Sequence, residues 1–213
     1  MLLRQIRLWC LLLVCTLATG LHNSANAASP LDNAVTNGAD DSGSAAQQQI
    51  QNAIPHARLA GQGRYRWFGL SIYDAQLWVG DKGFQTSAPA AASFALDLRY
   101  NRSFKGTRIA ESSIDQMRKI DSGSEAEYGP WLSQLKAIFP NVIDGSHVTG
   151  IFLPGIGTQF YMNGKLIGEI HDPHFSAAFF GIWLSPGTTA SGLRKQLLAN
   201  ATATPSANSS HHE

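Results

Sequence analysis

The sequence predicts an α+β domain in which an antiparallel β-sheet carries helices packed on it. Strand-like and helix-like runs come in blocks, strands then helices then strands then helices, instead of alternating as βαβ units would. Asn163-Gly164 separates two short β-type runs, and a type I′ hairpin turn needs positive φ at both central residues. Large apolar residues are scarce over 28–52 and again over 199–213, so the folded domain is placed at 53–198. The two flanks read as a flexible leader and a flexible tail.

Residues 64–79 (RYRWFGLSIYDAQLWV) open the domain as a β run rich in aromatic and branched residues. Tyr73, Ala75, Leu77 and Val79 share one face by period two, and Gly69 marks a bulge or a close backbone approach. Residues 93–100 alternate, with Phe94, Leu96, Leu98 and Tyr100 on one face and Ser93, Asp97 and Arg99 on the other. The period then lengthens. Over 106–120, Ile109, Ser113, Met117 and Ile120 fall near one helical stripe, with Thr107 as N-cap. A second helix is expected over 128–140, with Pro130 in its first turn and Pro140 as its stop. Three short strands follow (HVTGIFLP, TQFYM, KLIGEI), then helices over about 173–184 and 189–198.

Ahead of the domain, Arg4 and Arg7 precede the apolar run Leu8 to Ala18, and Ala25-Asn26-Ala27 offers a small-x-small cleavage site. Residues 1–27 therefore read as a signal peptide, and the chain as periplasmic. The run is too short to span a bilayer, and no other segment reaches about 18 apolar residues. Cys10 and Cys15 are the only cysteines and both lie inside that signal, so the mature chain carries no thiol. A lipidated Cys15 is the rival reading, opposed by the bulk of Val14. Removing residues 1–27 takes away two arginines and no acids, leaving 14 basic against 15 acidic residues. That balance gives no reason to expect nucleic acid or an anionic membrane as a partner.

Residues 171–174 (His-Asp-Pro-His) are the one place that suggests a metal or catalytic site. Asp is a favoured N-cap and Pro a favoured first helical residue, so helix capping explains Asp172 and Pro173. A metal reading would need His171, His174 and Glu169 as ligands in fixed geometry, and no metal is assigned. Gly155-Ile156-Gly157 lacks a third glycine and a following helix, so it reads as a turn. Asp144-Gly145-Ser146-His147 is ordinary turn chemistry. His211 and His212 read as part of a solvated tail.

Several segments, in order and spacing, resemble the chalcone isomerase-like family in its bacterial exported branch. They are Gly63 to Gly69 (GRYRWFG), Ile72 to Trp78 (IYDAQLW), Leu98 to Arg102 (LRYNR), Phe139 to Val142 (FPNV), Asn163 to Lys165 (NGK), Asp172 to Phe180 (DPHFSAAFF) and Ile182 to Pro186 (IWLSP). The resemblance covers nearly all of 55–198. It implies that family's open-faced sandwich, a sheet with helices packed on it and an apolar cleft between, and no cofactor.

It also implies where isomerase residues would stand. The threonine position matches Phe68 or Gly69, the tyrosine falls near Ile109, and the arginine matches Arg58 best. Two of three polar positions are thus replaced. Relatives without those residues bind fatty acids through an arginine and a tyrosine, a charge-assisted fork in an apolar cleft. Arg58, Tyr73 and Tyr100 are the corresponding candidates, and strand packing is the competing account of both tyrosines. The expected function is non-catalytic binding of an apolar or amphipathic small molecule such as a fatty acid. The alternatives are an isomerase (intramolecular lyase) with an altered site, and a structural or partner-binding protein.

Overall fold

The structure is a computed structural model that describes residues 33–202, with side chains from residue 41. Six strands form one sheet in the order β1-β2-β3-β4-β5-β6, every neighbour antiparallel. They are β1 (Arg58–Trp67), β2 (Leu70–Val79), β3 (Phe94–Tyr100), β4 (His147–Leu153), β5 (Gly157–Met162) and β6 (Lys165–Ile170). Among the described residues five α-helices accompany them: α1 (Asn33–Ala53), α2 (Gly106–Lys119), α3 (Glu125–Ile138), α4 (Pro173–Leu184) and α5 (Ser191–Leu197). The α+β class with an antiparallel sheet is the observed one.

Period-two alternation divides the sheet into two faces. The inner face presents Ala75, Leu77 and Val79 of β2 and Phe94, Leu96, Leu98 and Tyr100 of β3. It meets Ile114 and Met117 of α2, Trp131 and Leu135 of α3, Phe175, Phe179 and Trp183 of α4, and Leu193 and Leu197 of α5. Phenylalanines dominate this core, and Phe179 packs against Phe139, Phe160, Phe175 and Phe180 with ring centroids 5.1–6.4 Å apart. The outer face has its own smaller core, where Ile50, Ile54 and Ala57 sit on Trp78, Ala95, Ile151 and Tyr161.

That second core corrects the boundary drawn at residue 53. The segment read as a flexible leader over 28–52 carries α1, with Ala46 and Ile50 buried on the sheet. Its few apolar residues suffice because the sheet supplies the rest of the surface. The tail is tied down at its start. The Asn200 N–H donates to the Ala60 carbonyl, Ala201 is buried, and its carbonyl accepts from Phe84. Residues 1–27 and the His211-His212 pair lie outside the described residues.

Other boundaries shift for local reasons. The 64–79 run is not one strand, because Phe68 (φ 47°) and Gly69 (φ 80°) turn the chain into the β1–β2 hairpin. A bulky residue at positive φ is uncommon, which hid the turn. The same φ pattern, 49° and 77°, makes the expected hairpin at Asn163-Gly164. Helix α2 starts one residue before the proposed cap Thr107. Its Gly106 N–H donates to Asn141 Oδ1 at 3.1 Å, so a distant side chain does the capping. A Cβ at Gly106 would meet the Phe139 carbonyl, so only glycine allows that approach. Helix α3 begins at Glu125, with the Ser124 N–H bonded to Glu127 Oε2 at 2.8 Å, and Pro130 falls in its second turn.

Candidate functional site

The three candidate residues do not converge. Arg58 opens β1 and donates to the carbonyls of Asn200, at 2.6 Å, and Thr202. It pairs in register with Val79, whereas Tyr73 pairs with Tyr65, seven residues further along β1. At about 3.3 Å per residue that separation is roughly 20 Å. Arg58 therefore clasps the chain after α5 and is no partner for the two tyrosines.

Tyr73 and Tyr100 do meet. Tyr65, Tyr73 and Tyr100 form one cross-strand row on the inner face. Tyr65 stacks on Tyr73 at 5.1 Å, and Tyr73 meets the edge of Tyr100 at 6.0 Å. The Tyr73 hydroxyl accepts from Trp183 Nε1 at 3.0 Å. Burial raises the pKa of both phenols well above the ordinary value, with the Trp183 bond opposing the rise at Tyr73. These are packing residues that carry a polar tip, and neither lines the clefts described below.

The His-Asp-Pro-His stretch resolves as a cap. Asp172 Oδ1 accepts from the N–H groups of His174 (2.8 Å) and Phe175 (3.1 Å), and Oδ2 accepts from Trp131 Nε1 (2.9 Å). The histidines turn to different carboxylates, His171 to Glu169 at 2.9 Å and His174 to Glu127 at 3.3 Å. The positions matched to isomerase residues are not all brought together, because Arg58 and Phe68 stand at opposite ends of β1. Phe68 is 86% exposed at the hairpin tip, Ile109 is on α2, and Arg58 is at the far end of β1.

Two clefts remain. The first lies on the inner side of the fold, between α4, the 84–90 segment and the ends of β3 and β4. Its cavity is about 260 Å³, walled by Phe84, Phe94, Phe152, Phe180, Leu184 and Pro89, with Ala177 and Gly181 on the α4 side. Among the described residues no charged side chain lines it. Its Ser176 hydroxyl is already used, donating to the Asp172 carbonyl and accepting from Thr158.

The second lies on the outer side, under α1. Its cavity is about 460 Å³, lined by Gln47, Ile50, Gln76, Trp78, Arg99 and His147 among others. Its floor is a buried polar network. Asp97, 3% exposed, accepts from Thr149 Oγ1 at 2.7 Å and pairs with His147 Nδ1 at 2.6 Å. Beside it, burial resists ionisation of Asp74, but bonds from Arg64 and Asn101 and the charges of Arg64 and Arg99 outweigh it and lower its pKa.

Sequence reasoning missed this network. Asp97 and Arg99 were visible as the polar side of an alternating strand, and His147 as the end of a turn. With α1 read as flexible, nothing was expected to cover that face.

Comparison with known proteins places the chain. The family model described as chalcone isomerase-like matches residues 31–199. An uncharacterized protein of Haemophilus influenzae is 26% identical over 143 residues, 67% of this chain and 68% of the relative. The crystal structure of a fatty-acid binding protein of Arabidopsis thaliana superposes with a TM-score of 0.52 at 14% identity, covering 69% of this chain and 89% of that one. That likeness shows the fold.

Proposed function

The chain belongs to the chalcone isomerase-like family, and from that premise we propose that it is an exported, non-catalytic binder of an amphipathic small molecule with a fatty acyl portion. The observation that carries the reading is the apolar cleft beside α4, with its phenylalanine walls and, among the described residues, no charged lining. A cavity of about 260 Å³ is near the ~300 Å³ lower end of ligand pockets, and suits a single chain segment. Each buried methylene contributes about 0.8 kcal/mol, so about six would contribute roughly 5 kcal/mol. The head group stays at the mouth in water, in place of the arginine–tyrosine fork expected from sequence. The fold shared with a plant fatty-acid binding protein supports this reading. The signal-peptide pattern over 1–27 supports export to the periplasm, and amino-terminal sequencing of chain recovered from the periplasm tests that step.

The ligand test uses cis-parinarate, whose fluorescence rises in an apolar site. The chain should bind it, and Ala177→Trp, which fills the cleft from an exposed α4 position, should weaken binding at least tenfold. Equal binding by the variant overturns the assignment. The separation of positions 58 and 68, at opposite ends of β1, speaks against the isomerase alternative.

A further inference from the structure

We propose that the cleft between α1 and the outer face of the sheet is a second ligand site, built to hold a small carboxylate on the Arg99 guanidinium, with the Nε2 edge of His147 beside it. The body of the molecule rests against Trp78 and Ile50. This site lies across the sheet from the apolar cleft and does not depend on what that cleft holds.

The argument begins with register. Arg99 of β3 is the cross-strand partner of His147 of β4, so the two side chains stand side by side on one face. Asp97, two residues before Arg99, shares that face and reaches diagonally to His147 Nδ1. A carboxylate on Nδ1 keeps a proton on that nitrogen and turns Nε2 the other way. On that side stands Gly43 of α1, where an added Cβ would lie 3.5 Å from Nε2. The missing side chain leaves the ring edge open to the cleft. Among the described residues no hydrogen bond to Nε2 is made.

The chemistry of the open groups selects the ligand. Both Asp97 oxygens are taken, one by Thr149 and one by His147. Asp74 is taken by Arg64 and Asn101. Among the described residues neither carboxylate comes within ion-pair distance of Arg99, which donates from Nη1 to Asn101 Oδ1 at 2.7 Å. A guanidinium has five N–H donors in a planar fork, so donors remain for an acceptor in the cleft. The other polar wall is preset, because Gln76 Oε1 accepts from Trp78 Nε1 and its amide donates to Gln62. The cleft therefore offers the remaining donors of the Arg99 guanidinium beside an indole wall, which is how a planar carboxylate attached to a small ring or short chain is recognised.

The probe is benzoate, with benzamide as its uncharged counterpart, added to the full-length chain while the His147 ring resonances are followed by NMR. Benzoate should shift the His147 Cε1–H and Nε2 signals saturably, and benzamide should bind at least tenfold more weakly. Arg99→Gln should weaken benzoate at least tenfold. Gly43→Leu, which fills the cleft with a good helix former and removes no polar group, should abolish the shift. Ala177→Trp should leave it unchanged, which separates this site from the apolar cleft. An absent shift, an equal shift in Arg99→Gln, or equal binding of benzamide overturns the proposal.

Discussion

Trp131 Nε1 donates to Asp172 Oδ2 at 2.9 Å while the other oxygen of the same carboxylate caps α4. One side chain thus holds the start of α4 and the buried indole of α3 together. Losing the cap costs about 0.5–2 kcal/mol, and stranding a buried N–H costs about 1–3 kcal/mol. Asp172→Ala should therefore lower unfolding free energy by about 2–4 kcal/mol in urea titration. Asp172→Asn keeps an acceptor and should cost less. Equal losses would mean that the charge, and not the acceptor, matters there.

Tyr73 gives a test of the distinction between packing and binding. Tyr73→Phe removes the acceptor from Trp183 Nε1, whose residue is 6% exposed. Stability should fall by about 1–3 kcal/mol, with cis-parinarate binding unchanged. Lost binding at unchanged stability would return Tyr73 to the ligand site.

The buried phenols set an alkaline limit. Tyr73 and Tyr100 ionise well above the ordinary value in the folded chain, because burial disfavours the phenolate. The unfolded chain loses these protons near pH ~10. Above that pH the folded state binds more protons than the unfolded state, so stability falls as pH rises. Below it the two phenols contribute no pH dependence. In an absorbance titration these two tyrosines should ionise only as the chain unfolds; a reversible titration near pH ~10 with the fold intact would contradict their burial.

Gly164 joins the second hairpin to α1. Its φ is 77°, and a Cβ there would lie 2.8 Å from the Ala45 carbonyl oxygen. Gly164→Ala should cost about 1–3 kcal/mol from backbone strain. Hydrogen exchange should quicken first in α1, because that helix is the element pushed away. Uniform loss of protection across the sheet would show that α1 is not displaced separately.

Much of the fold was legible because it depends on local chemistry. Alternation marked the inner faces of β2 and β3, Asn-Gly marked the β5–β6 turn, and Asp-Pro marked the start of α4. The misses share a cause: a distant partner decides the outcome. Phe68 turns left-handed where a bulky residue seldom does, Gly106 is capped by Asn141 from across the fold, and α1 is held by a sheet face that its own composition does not announce.

The same division governs the candidate sites. By itself the sequence determined the class of the fold, the family resemblance, the absence of thiols after residue 27 and the capping role of Asp172, because each follows from residue identity and short-range spacing. Only the tertiary structure decided that Arg58 stands roughly 20 Å from the tyrosines, that those tyrosines pack, and that Asp97, Arg99 and His147 meet beneath a helix. Register and layer order set these distances, and both arise from pairings between strands far apart in the chain.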